Sequence, residues 1–256
     1  MKSNINLLVV GGCFPVQTNI PTENLYHFLL KEKIRNELSV KIEINILQYE
    51  KISPTFKRIK EVIEYKNIDL IIFHIRIEQI LRMIKFYLRY HDKNEDYHRG
   101  LNLAVFSNCI PERKEFNLHH ITENRSPKTI KFYNNILKNI NYVLGYLVFN
   151  PVFAFRIYKK LITSVAEFCD NNSIDIIFTG PVSRPVNYIE NFTSVILDFY
   201  MNKLILNKYD TTYLKLLGTN HNSQYLFCDD HIRVNEIGHQ RIADILFNSV
   251  KNILKS

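Results

Sequence analysis

Short strand-like runs alternate with segments of helical periodicity along much of this chain, and that alternation constrains its fold more than any other feature. Leu7-Leu8-Val9-Val10 is a continuous apolar run that stops at Gly11-Gly12, the pattern of a strand buried on both faces and closed by a tight turn. Pro21-Thr22 then opens a helix carrying Leu25, Phe28 and Leu29 at helical spacing. Val40–Ile46 alternates, with Val40, Ile42, Ile44 and Ile46 set against Lys41, Glu43 and Asn45, and predicts a second strand. A helix over Pro54–Tyr65, a third strand at Leu70–Phe73 and a helix over Ile80–Leu88 follow. Strands alternating with helices imply a parallel sheet covered on both faces: a three-layer α/β sandwich.

The rhythm breaks between about His91 and Thr129, a stretch rich in charge and histidine in which only Leu101–Phe106 is strand-like. It reads as an insertion or lid at about 91–130. Helices are expected over Ile130–Leu147 and Val152–Cys169, then a strand at Ile174–Phe178 ending in Thr179-Gly180-Pro181. A helix near Ile189–Leu206 and a short last strand at Tyr225–Phe227 come next. The chain closes with a helix capped by Asn235, with Ile242, Ile245, Leu246, Val250, Ile253 and Leu254 on one face. No repeat, low-complexity tract or linker interrupts residues 1–256, so a single domain with one insertion is expected. Its 256 residues suffice for a core, since a domain of this size buries roughly 70–75% of its unfolded surface.

Composition excludes several classes. At 46% apolar and 23% charged residues the chain is neither disordered nor collagen-like. Its four cysteines, Cys13, Cys109, Cys169 and Cys228, form no CxxC pair of the kind zinc sites use, and imply a reducing cytoplasm. Cys109, Cys169 and Cys228 are expected in the core. No apolar run approaches the ~18–20 residues of a membrane span. Val10-Gly11-Gly12-Cys13 is not read as a lipoprotein cleavage site, because the apolar segment before it is shorter than the ~7–15 residues of a signal core. A net charge of +8 admits nucleic acid, a membrane surface, an anionic small molecule or solubility alone. The mixed charges from Arg82 to Arg99 fit a solvated helix face better than a nucleic-acid groove, and His119-His120 lack ligand spacing to a carboxylate, so neither nucleic acid nor a metal is expected.

In an open parallel sheet, ligands sit beyond the carboxyl ends of the strands, where strand order switches. Three polar segments are expected to meet there: Gly11-Gly12-Cys13-Phe14-Pro15, His74-Ile75-Arg76-Ile77-Glu78, and Cys228-Asp229-Asp230-His231-Ile232-Arg233. A thiol at a strand-to-helix turn is a candidate nucleophile, since an adjacent positive charge or helix N-terminus lowers its pKa from ~8.5. Arg76 and Arg233 carry guanidinium forks that suit a carboxylate or phosphate.

Asp230-His231-Ile232-Arg233-Val234-Asn235-Glu236-Ile237-Gly238-His239 resembles the final block of the SGNH/GDSL hydrolases, which runs Asp-x-x-His, Asn, Gly-His into a terminal helix. Gly11-Gly12-Cys13 falls where that family has Gly-Asp-Ser, and Ile174–Pro181 is similar to its hydrophobic strand with a proline-containing loop. The resemblance implies a flavodoxin-like sandwich and acyl chemistry. It also implies departures: Cys13 replaces the nucleophilic serine, Arg233 stands on the catalytic histidine, and Arg76-Ile77-Glu78 replaces Gly-x-Asn. Cysteine here is similar to the Gly-Ser-Cys-Phe-Ala domain family and to capsule acetyltransferases beginning Gly-Asn-Cys-Gln.

The expected site is therefore Cys13 as nucleophile, with Asp230 and His231 in support and Gly12, Arg76, Glu78 and Arg233 binding a small or glycan-linked substrate, whose anionic part Arg76 or Arg233 holds. No cofactor is required, and acyl-CoA or another acyl thioester is a candidate donor. His239 is expected to pack or hydrogen-bond within the terminal helix. The alternative is a binding protein on a catalytically degenerate hydrolase scaffold.

Overall fold

A computed structural model of the protein describes residues 4–12, 14–17, 20–49, 52, 54–77, 80, 89–91, 97–99, 151–182, 188–209, 211–216, 226 and 234–255. The chain divides into two compact units, Met1–Gln79 with Val152–Ser256, and Ile80–Pro151.

In the first unit, strands β1 (Asn4–Gly11), β2 (Lys41–Gln48) and β3 (Leu70–His74) follow the apolar runs of the sequence. Helices α1 (Tyr26–Leu38) and α2 (Thr55–Lys66) connect them. Helix α1 starts at Tyr26, not at Thr22, because Pro21–Leu25 closes a tighter turn in which the Asn24 and Leu25 N–H groups donate to the Pro21 and Thr22 carbonyls. Both helices end on a non-glycine residue in the left-handed region, Ser39 (φ 54°) and Asn67 (φ 49°), and the chain turns directly into the next strand.

The second unit contains the charge-rich segment. Its described part is an antiparallel pair, β4 (Arg89–His91) and β5 (Tyr97–Arg99), with Tyr90 opposite His98. Neither strand has the apolar run or alternation that would mark it in the sequence. The helices expected over Ile80–Leu88 and Ile130–Leu147 and the strand at Leu101–Phe106 lie outside the described residues, Ile80 apart.

The first unit resumes in α3 (Pro151–Asn171), β6 (Asp175–Thr179), α4 (Tyr188–Lys208), β7 (Thr212–Leu214) and α5 (Glu236–Lys255). The fifth strand of the sheet is β7, not Tyr225–Phe227, of which the described Leu226 lies in a helical turn. All three β7 residues are half-buried at the sheet edge, so no continuous apolar run announces the strand.

The sheet is parallel, in the order β2-β1-β3-β6-β7. Ile5, Leu7 and Val9 face a layer made by α1 and α5, where Tyr26, Leu30, Ile34, Ile242, Leu246 and Val250 complete a buried core. Leu8, Val10, Ile71 and Phe73 are equally buried on the opposite face, as period-2 alternation in a doubly covered sheet requires. Asn235 caps α5, its Oδ1 accepting the Gly238 N–H at 2.9 Å. Cys169 is buried in α3, which raises its thiol pKa to about 12 by desolvation; Cys109 and Cys228 lie outside the described residues.

Candidate active site

β1 lies between β2 and β3, so the chain leaves β1 toward one side of the sheet and returns from β2 to the other. The carboxyl ends of β1 and β3 therefore flank the switch point where doubly wound sheets hold ligands. Gly12 and Arg76 meet at this point. A side chain built on Gly12 would collide with Cζ, Nε and Nη2 of Arg76, so the guanidinium lies against the bare Gly12 backbone.

Arg76 is only 7% exposed, which for a charged group demands compensation. Its Nη1 donates to the Tyr49 carbonyl and its guanidinium carbon sits 5.4 Å from the centre of the Tyr49 ring, within cation–π range. Its backbone N–H donates to the Tyr158 hydroxyl at 3.0 Å. The Tyr158 and Tyr49 hydroxyls are 2.6 Å apart, and Tyr49 donates onward to the His74 carbonyl at 2.8 Å. Tyr49 follows β2 and Tyr158 comes from α3, so elements distant in sequence grip the end of β3.

On the other face of the sheet, His74 pairs with Thr179 across β3 and β6, its Nδ1 2.7 Å from the threonine hydroxyl, while its Nε2 lies 2.5 Å from the Tyr26 hydroxyl. Desolvation, reinforced by nearby His27, lowers the His74 pKa to about 3. The ring is therefore neutral, one nitrogen donating and the other accepting. Burial holds the Tyr26 phenol protonated by raising its pKa. Phe14, the residue after Cys13, stacks on Tyr26 at 4.7 Å and on His239 at 5.1 Å. The His239 ring bonds outside α5: Nδ1 accepts the Tyr26 N–H at 3.2 Å, and Nε2 has no partner among the described residues. The ring hydrogen bond thus joins α5 to the start of α1.

Gln17 Nε2 donates to the Val234 carbonyl at 2.6 Å, and the Asn235 N–H donates to the Leu226 carbonyl at 3.0 Å. The first polar segment thus touches the second, Gly12 against Arg76, while the third, Cys228–Arg233, lies outside the described residues; Val234 and His239, which follow it, meet Gln17 and Phe14. Cys13, Glu78, Asp230, His231 and Arg233 lie outside the described residues. Among the described residues no group of three or more His, Cys, Asp or Glu side chains is placed to hold a metal ion. No helix of the described residues is long and apolar enough to cross a membrane.

Tyr26, Tyr49 and Tyr158 are buried in the core, yet the Tyr158 hydroxyl accepts the Arg76 N–H, that of Tyr49 joins Tyr158 to the His74 carbonyl, and that of Tyr26 bonds His74. The available signal was tyrosine, not phenylalanine, at buried positions, because a buried phenol needs a partner.

No protein-family model and no curated protein sequence matches the chain. Solved structures do. An acetylxylan esterase from Geobacillus stearothermophilus superposes with a TM-score of 0.58 at 9% identity, over 96% of this chain and 94% of its own in a catalytic-mutant structure. A family 3 carbohydrate esterase from Clostridium thermocellum superposes with a TM-score of 0.56 at 11% identity, over 98% of both chains. A lipolytic-type protein of the G-D-S-L family from Desulfitobacterium hafniense gives 0.56 at 9% identity, over 95% and 98%. The protein has the SGNH/GDSL hydrolase fold.

Proposed function

We propose that this protein is an acyl ester hydrolase or acyltransferase in which Cys13 is the nucleophile and a small or glycan-linked, anionic molecule is the substrate. The observation that carries the reading is the contact between the Arg76 guanidinium and the Gly12 backbone, which sets a fixed positive charge beside the residue preceding Cys13. Positive charge favours thiolate over thiol and binds carboxylate or phosphate. A fold shared with a carbohydrate esterase and an acetylxylan esterase supports the choice of chemistry and substrate class.

In this reading His231, oriented by Asp229 or Asp230, takes the Cys13 proton and the sulfur attacks the acyl carbonyl. The carbon–oxygen bond of the ester breaks, and the departing alkoxide takes the proton back from His231. Water or an acceptor hydroxyl, deprotonated by the same imidazole, then cleaves the thioester and restores the thiol. With an acyl-CoA donor, CoA thiolate is the first leaving group. Arg233 joins Arg76 on the anion-binding side, Glu78 contacts another, uncharged part of the substrate, and the protein acts in the cytoplasm without a cofactor.

Acetyl esters, acetylated oligosaccharides and acyl thioesters form the substrate screen. Turnover lost in both Cys13→Ala and Cys13→Ser is the expected result. Turnover undiminished in Cys13→Ala overturns the nucleophile, and no turnover of any ester or thioester leaves a binding protein on the same scaffold.

A further inference from the structure

The three hydrogen bonds between His74 and Arg76 run in one direction. The Arg76 N–H can only donate, so the Tyr158 oxygen accepts it; the His74 carbonyl can only accept, so Tyr49 spends its proton there. The bond between the phenols, 2.6 Å long, must then run from Tyr158 to Tyr49. The circuit reads Arg76 N–H to Tyr158 O–H to Tyr49 O–H to His74 C=O, with every donor used. Such chains polarise one another and are stiffer than isolated bonds.

The backbone explains the need for it. Pairing of β1 with β3 ends at Val10 opposite Phe73. One residue beyond His74, the Ile75 N–H turns toward β6 and donates to the Thr179 carbonyl. The His74 carbonyl and Arg76 N–H point the opposite way, past the end of the β1–β3 register, beyond the reach of that ladder. Both tyrosine rings are fully buried, so the hydroxyls have little freedom to leave. Tyr49 also holds the far end of the same arginine through its carbonyl and its ring face.

We infer that Tyr49 and Tyr158 are positioning residues that fix Arg76 as a specificity-determining anion receptor for substrates bearing a carboxylate or phosphate. The inference rests on the reading of the switch point as the substrate site.

Alkylation of Cys13 in the folded full-length chain by iodoacetate and by iodoacetamide, resolved by peptide mass spectrometry, tests it. The reagents differ in carboxylate against carboxamide, so the ratio of their rates cancels the thiolate fraction and reads how well an anion is held. That ratio is expected about tenfold above its value in the urea-unfolded chain, in line with a charge-assisted hydrogen bond. Tyr158→Phe and Tyr49→Phe should each lower it roughly three- to tenfold, and Arg76→Gln should abolish the excess. A ratio unchanged in both phenylalanine variants, a native ratio equal to the unfolded one, or a Cys13 that takes up neither reagent would each overturn the inference. If one phenylalanine variant loses its cooperative thermal transition, the other and Arg76→Gln decide. Absence of any ester turnover with this ratio intact would overturn the acyl-transfer reading and leave the receptor standing.

Discussion

The phenol of Tyr26 lies 2.5 Å from Nε2 of His74, tying the first residue of α1 to the last residue of β3 directly beside Gly11. Around this contact the protein has buried His27 and His239 as well, and three imidazoles in one apolar layer govern how the fold responds to acid.

Desolvation lowers the pKa of His74 to about 3 and those of His27 and His239 to about 4, with the charge of His27 adding to the shift of the other two. In the unfolded chain each titrates near 6.5. Between about pH 6.5 and 4 the unfolded state therefore binds protons that the folded state refuses, so stability falls as pH falls through this window. Denaturant unfolding at stepped pH should show stability flat above about pH 7.5 and declining steadily below 6.5. A stability constant from pH 7 to 4.5 would contradict the burial of these rings.

Both ring nitrogens of His27 are buried without a hydrogen-bond partner among the described residues, and such groups cost about 1–3 kcal/mol each. His27→Phe removes that cost while keeping an aromatic body against Tyr26 and Phe28. The variant should gain on the order of 1–2 kcal/mol in denaturant unfolding at pH 7 and lose part of the acid sensitivity. A destabilised His27→Phe would mean that the nitrogens are satisfied in solution.

A methyl group at position 12 has no room beside the Arg76 guanidinium. Gly12→Ala should cost about 1–3 kcal/mol by overpacking and lower turnover at least about tenfold. Because the clash is with one side chain, the stability cost of Gly12→Ala should shrink by about 0.5 kcal/mol or more in an Arg76→Ala background. Strict additivity in that cycle would place the guanidinium elsewhere.

Ser39, Asn67 and Ser173 each hold a left-handed conformation, with φ of 54°, 49° and 52°. Glycine adopts it without the Cβ penalty of about 1–2 kcal/mol per residue, less its greater freedom when unfolded. Ser39→Gly is expected to raise stability by roughly 0.5 kcal/mol, read as a higher denaturant midpoint at unchanged slope.

Apolar periodicity determined the layered α/β architecture, since the runs at Leu7–Val10, Leu70–Phe73 and Ile174–Phe178 have no use except as strands buried on both faces. The same reasoning found the stripe of α5 and its Asn235 cap, and strand-end logic singled out Gly12 and Arg76. It missed β7, β4 and β5, because half-buried or charged strands need no apolar run, and it missed the short turn before α1, where local backbone bonds outweigh helical periodicity. What only the tertiary structure decided is how the polar groups at the strand ends are satisfied. Tyr49, Tyr158 and Arg76 are separated by up to 109 residues and converge through strand order and helix packing. Burial is additive along a sequence and leaves a periodic trace; a hydrogen bond between distant side chains depends on where the sheet puts them, and leaves none.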